Sequence, residues 1–146
     1  MCFMSRERPI EIWLIDDDDG HALLVEESFE EAGLRNEFVR ARDGGEGWQW
    51  LQDAAAGKRR RPGLILLDVS MPRLDGFQVL ERIKASPELR QIPVIMVTST
   101  DAPREIERSY KLGCSAYVVK PVDFEQLHEK IRALGLFVQI IEVVES

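Results

Sequence analysis

Cysteine is scarce in this chain: Cys2 and Cys114 are the whole supply in 146 residues, too few for a disulfide framework. A reducing cytoplasm is therefore the simplest compartment. Long apolar runs are missing as well. None approaches the roughly 18 residues that a membrane-spanning helix requires, so no membrane partner is expected. The opening Met1-Cys2-Phe3-Met4-Ser5-Arg6 lacks the apolar middle of a signal peptide. Positive charge is in deficit, with 19 Lys and Arg against 26 Asp and Glu and a net charge of −7. That balance argues against non-specific nucleic-acid binding, which excludes nucleic acid from the expected partners. The one basic run, Lys58-Arg59-Arg60-Arg61, precedes Pro62 and reads as a solvated loop. Internal repeats, low-complexity segments and a second-domain linker are absent too. What is present, 45% apolar and 31% charged residues, suits one globular core.

The organisation is an alternation of strand and helix signals. Ile10 to Ile15 reads as a strand that stops at Asp16-Asp17-Asp18-Asp19. Helical spacing follows at Leu23, Leu24, Glu27 and Phe29, and Gly33 stands where a helix end favours a left-handed residue. His21 reads as a solvated first-turn residue, and Asp18 and Asp19 as helix-start acids. Phe38 to Ala41 is a weak second strand, followed by a helix holding Trp48 and Leu51. The third strand is the aliphatic run Leu64-Ile65-Leu66-Leu67, which ends on Asp68; Asp75 is placed to cap the next helix, carrying Phe77, Leu80 and Ile83. Pro93 to Val97 forms a fourth strand before Thr98, Glu105 to Leu112 a helix stopped by Gly113, and Ala116 to Val119 a fifth strand before Lys120-Pro121. A last helix begins at about Asp123 or Phe124. Five such units with short connections predict an α/β fold, a doubly wound parallel sheet with right-handed crossovers.

In open α/β sheets ligands bind at the carboxyl edge of the strands. The strand ends bring Asp16, Asp17, Asp68, Thr98 and Lys120 to that edge. Two carboxylates about 5 Å apart repel by roughly 3 kcal/mol at an effective dielectric near 20, so the cluster either raises a pKa or recruits a cation. Oxygen ligands suit Mg²⁺, and a metal held by two acids beside a third suits phosphoryl transfer to that third carboxylate. Lys120 and the Thr98 hydroxyl can then contact phosphoryl oxygens.

These motifs together resemble the receiver domain of two-component response regulators: the acid pair Asp16 and Asp17, Asp68 in Leu-Leu-Asp-Val-Ser-Met-Pro, Thr98, Tyr117, and Lys120-Pro121. Thr98 and Lys120 follow Asp68 by 30 and 52 residues (98 − 68 and 120 − 68), the family's usual separations. The resemblance spans about 9–134, leaving 1–8 as a flexible N-terminal segment and 135–146 as an apolar C-terminal extension. It implies a five-stranded flavodoxin-like sheet in the order 2-1-3-4-5 and a cis Lys120-Pro121 bond. It makes Asp68 the acceptor of phosphate from a sensor histidine kinase or phosphotransfer protein. Asp16, Asp17, Asp68 and the Ser70 main-chain carbonyl would hold Mg²⁺, Lys120 would contact the phosphoryl group, and Thr98 and Tyr117 would act as switch residues. A signalling protein rather than an enzyme is implied, with at most self-catalysed phosphotransfer and autodephosphorylation.

Ser86 to Pro93 and Tyr117 to Phe124 further resemble single-domain regulators associated with bacterial phytochromes. A calcium loop read from Asp17, Asp19, Gly20 and Glu26 fails, because that register puts Ile15 at the first ligand position, where an acid is required. A phosphatase of the haloacid-dehalogenase type fails because Ser70 stands where a second Asp is needed. About 12 residues follow Leu134, too few for an effector domain, so the output is expected to be a protein contact. In that tail Phe137, Ile140, Ile141 and Val144 form an apolar stripe, helical by its spacing or extended by its β-branched content. It predicts a homodimer through the fifth helix and the tail, with folding back on its own domain as the alternative.

Overall fold

The computed structural model of the protein describes residues 10–99 and 101–133. The N-terminal segment 1–8 and the extension 135–146, with the apolar stripe expected to mediate dimer formation, lie outside the described residues.

The chain runs β1 (Ile12–Ile15), α1 (Asp19–Glu31), β2 (Phe38–Ala41), α2 (Gly44–Ala55), β3 (Leu64–Asp68), α3 (Gly76–Ala85), β4 (Val94–Thr98), α4 (Pro103–Lys111), β5 (Ala116–Val119) and α5 (Phe124–Ala133). All strand pairs are parallel, in the order β2-β1-β3-β4-β5, which is the order the resemblance implied. The register pairs Ile15 with Leu67 and Asp68 with Val97, so the strand ends are level.

β1, β3 and β4 are buried along their whole length, which is why they read as unbroken aliphatic runs. Their side chains alternate between two cores. Trp13, Ile15, Ile65 and Leu67 face α2 and α3, with Leu51, Phe77, Leu80 and Ile83. Ile12, Leu14, Leu64 and Leu66 face α1 and α5, with Val25, Phe29, Phe124 and Leu127.

Several boundaries differ from the sequence reading. β1 begins at Ile12 rather than Ile10, and β4 includes Thr98. α4 starts at Pro103, where a proline at the first helical position costs no hydrogen bond. On α1 the buried side chains are His21, Ala22, Val25 and Phe29, while Leu23 and Leu24 are 56% and 47% exposed. His21 is thus 7% exposed, which corrects its reading as a solvated residue. The basic run is not simply solvated either. Arg59 and Arg60 are half-buried: the Arg59 guanidinium lies 4.1 Å from the Trp50 ring centre and 5.2 Å from that of Trp13. Arg60 approaches Glu11 at 3.8 Å, and Glu11 accepts a hydrogen bond from Trp13 Nε1. The run fastens the β3 approach to the sheet.

Candidate functional site

The carboxyl edge is assembled from strand ends whose helices start almost at once. β1 hands over to Asp16, fully buried, and α1 begins three residues later. Asp18 caps α1 by accepting from the His21 amide at 3.1 Å, while its own amide donates to Asp16 Oδ1 at 2.9 Å. β3 ends on Asp68, 2% exposed, whose Oδ1 accepts from the Ser70 amide at 3.3 Å. α3 then opens with a capping box between Asp75 and Gln78, as the position of Asp75 suggested. Gly76 is required here: its amide bonds the Val69 carbonyl, and any Cβ would collide with the Asp68 carbonyl. The absence of a side chain lets α3 begin against the strand end that carries the acid.

Asp16, Asp17 and Asp68 each offer a carboxylate oxygen within 4.8 Å of the others, with Asp17 exposed and the other two buried. From the end of β5, Lys120 Nζ reaches Asp68 Oδ2 at 3.1 Å and Asp16 Oδ1 at 3.5 Å. The Lys120-Pro121 bond is cis, and the Lys120 amide donates to the Thr98 carbonyl at 2.7 Å. Two residues were missed by the sequence reading. His21 Nδ1 lies 2.6 Å from Asp16 Oδ2, and its Nε2 accepts from the Val122 amide at 3.2 Å. Arg40 on β2 donates twice to the Asp16 carbonyl, at 3.0 and 2.8 Å.

Thr98 ends β4 on this edge, level with Val119, while Tyr117 lies further down β5, opposite Met96. The Thr98 hydroxyl donates to Glu105 Oε1 on α4 at 2.8 Å, a partner the sequence reading did not name. Tyr117 is buried, one strand over, within the field of Glu105.

Burial and the neighbouring Asp16 push the Asp68 carboxyl up to about 7, against the pull of Lys120. Burial would raise Asp16 too, but the hydrogen bonds from His21 and the Asp18 amide, with help from Asp68 and Lys120, hold it below the usual carboxylate range. Burial would lower Lys120, yet the two carboxylates outweigh it and raise its pKa. The site is therefore acidic, poorly screened and short of positive charge. Its all-oxygen donor set fits a hard divalent cation rather than a soft one.

Known proteins resemble this chain in sequence and in fold. The family model described as "Response regulator receiver domain" matches residues 12–132. Response regulator Rcp1 of Synechocystis sp. is 31% identical over 130 residues, covering 88% of each chain. A solved Mn(2+)-bound form of Rcp1 is 30% identical with a TM-score of 0.72, over 91% of this chain and 99% of that one. The bacteriophytochrome response regulator AtBRR is 38% identical with a TM-score of 0.79, over 91% of this chain and 97% of that one. The phosphorylated cyanobacterial phytochrome response regulator RcpA is 29% identical with a TM-score of 0.73, over 90% and 98% of the two chains.

Proposed function

This chain belongs to the response regulator receiver family, and we propose that it signals by accepting a phosphoryl group on Asp68 from a sensor histidine kinase or a phosphotransfer protein. The observation that carries this reading is the placement of Asp68 between an acid pair and an ammonium, with Lys120 Nζ at 3.1 Å. The Asp68 carboxylate forms the bond to phosphorus as the phosphorus–nitrogen bond of the donor phosphohistidine breaks. Lys120 receives the charge of the transferred group, since its ammonium already faces Asp68. Asp16, Asp17, Asp68 and the Ser70 carbonyl hold Mg²⁺, which supplies charge neutralisation where four negative groups meet. The chain itself catalyses no more than its own phosphorylation and dephosphorylation.

The phytochrome response regulators among the solved structures it resembles support a bacteriophytochrome as the kinase. The output is a cytoplasmic protein contact without nucleic acid or membrane, and the chain forms a homodimer through α5 and residues 135–146. The test is transfer of radiolabelled phosphate from candidate kinases. The parent is labelled only when Mg²⁺ is present, and Asp68→Asn takes no label; a variant labelled as well as the parent refutes the assignment.

A further inference from the structure

We propose that His21 is a positioning residue of the cation site, fixing the Asp16 carboxylate through one ring nitrogen and the loop after Lys120 through the other. The inference rests on the reading of Asp16 as a metal ligand. Asp16 has no contact with solvent, and its two oxygens are held differently. Oδ1 accepts from the Asp18 amide at 2.9 Å and faces Lys120, on the side of Asp68. Oδ2 is held by His21 Nδ1 at 2.6 Å. A buried carboxylate with one free oxygen could swing or keep a proton; with Oδ2 held, Oδ1 is left aimed at the acid cluster.

The ring itself has no freedom to drift. Its side chain is 5% exposed, and its backbone amide is bonded by the Asp18 cap in the first turn of α1. Because the Val122 amide donates into Nε2 at 3.2 Å, the ring proton must sit on Nδ1, which is the tautomer that can donate to Asp16. Val122 lies two residues beyond Lys120 on the same loop. One imidazole therefore ties a cation-binding acid on β1 to the loop that delivers the ammonium. Any buried imidazole asks for partners at its nitrogens; here those partners are the acid on β1 and the loop after Lys120.

Two variants of the full-length protein separate the two bonds. Asn sets an amide near the position of Nδ1 and does not reach Val122. Gln sets its amide near Nε2 and leaves Asp16 Oδ2 without its donor. Mg²⁺ titrations followed by amide NMR shifts give the dissociation constants, with thermal melting in EDTA as a control for stability. His21→Gln is expected to weaken Mg²⁺ binding by roughly tenfold or more, and His21→Asn to stay within about threefold of the parent, although each loses one buried bond. Equal weakening in both variants, or parent-like affinity in His21→Gln, overturns the proposal. The parent gives an independent check that needs no variant. Its ring-nitrogen spectrum must show a protonated Nδ1 and a bare Nε2 with and without Mg²⁺, and the opposite tautomer overturns the proposal. Asp16→Asn in the same titration tests the underlying reading: if it binds Mg²⁺ like the parent, the ligand assignment itself fails.

Discussion

Removing the charge of Asp68 should stabilise the metal-free protein, and the gain should depend on pH in a defined way. Its carboxylate oxygen lies within 4.8 Å of that of Asp16, a separation worth about 3 kcal/mol of repulsion at an effective dielectric near 20. The same magnitude follows from titration. A rise from 3.8 to about 7 corresponds to an upper limit of about 4 kcal/mol at about 1.4 kcal/mol per pH unit. Because the two carboxyls titrate as an interacting pair, about 2 kcal/mol is the reasonable expectation for Asp68→Asn, or roughly 4–8 °C in melting temperature. The sign follows from linkage. A carboxyl whose folded pKa is raised binds more protons in the native state, so stability falls as pH rises from about 4 through about 7 and is level above. Asp68→Asn has no such slope. In EDTA the variant should exceed the parent most at pH 8, and the gap should narrow toward pH 4. Thermal melts across that range decide the matter, and saturating Mg²⁺ should stabilise the parent but not the variant. A gap of the same size at all pH values, or a variant less stable than the parent at pH 8, refutes the electrostatic account.

Mg²⁺ affinity should fall severalfold from pH 8 to pH 6, because a proton competes for Asp68 below about 7; NMR titrations at the two values measure it. Gly76→Ala should cost roughly 2 kcal/mol or more in denaturant midpoint and slow labelling of Asp68, since its methyl group displaces the backbone that carries the acid. Arg59→Ala should cost about 1 kcal/mol and shift tryptophan fluorescence, as the guanidinium over Trp50 and Trp13 is lost.

Most of the fold was legible because each signal was local. The buried strands announced themselves as aliphatic runs, Asp75 as a cap, Asp18 and Asp19 as helix-start acids, and Gly33 and Gly113 as left-handed stops at φ values of 80° and 101°. The acid cluster and Lys120 were legible because each ends a strand, and parallel strands deliver their ends to one edge. What escaped was long-range. Arg40 joins Asp16 across 24 residues, and Val122 joins His21 across 101. A signal for His21 did exist: it stands four residues before Val25 and eight before Phe29, on the buried stripe of α1. The exposed Leu23 and Leu24 drew attention away from it. Glu105 escaped for another reason. Nothing in its helical spacing distinguishes a charge facing solvent from one turned back toward Thr98.

That last contact bears on how a phosphoryl group at Asp68 would be felt elsewhere. The Thr98 hydroxyl has one proton to donate, and here Glu105 holds it at 2.8 Å. In the proposed mechanism a phosphoryl oxygen at the same edge competes for that proton, so phosphorylation costs Glu105 its donor. The consequence falls on α4, where Ser109 alone is fully buried, against four or five residues on α1, α2 and α3. With so little apolar area fixing it, α4 can shift at a lower cost than any of those three helices. Tyr117 lies beside the same pair, and the charge of Glu105 adds to burial in raising the pKa of its hydroxyl. Withdrawing Thr98 from Glu105 thus alters the surroundings of a buried aromatic and a loosely held helix in a single step. The face built from α4 and β5 follows as the place where a partner would distinguish the two states of this protein.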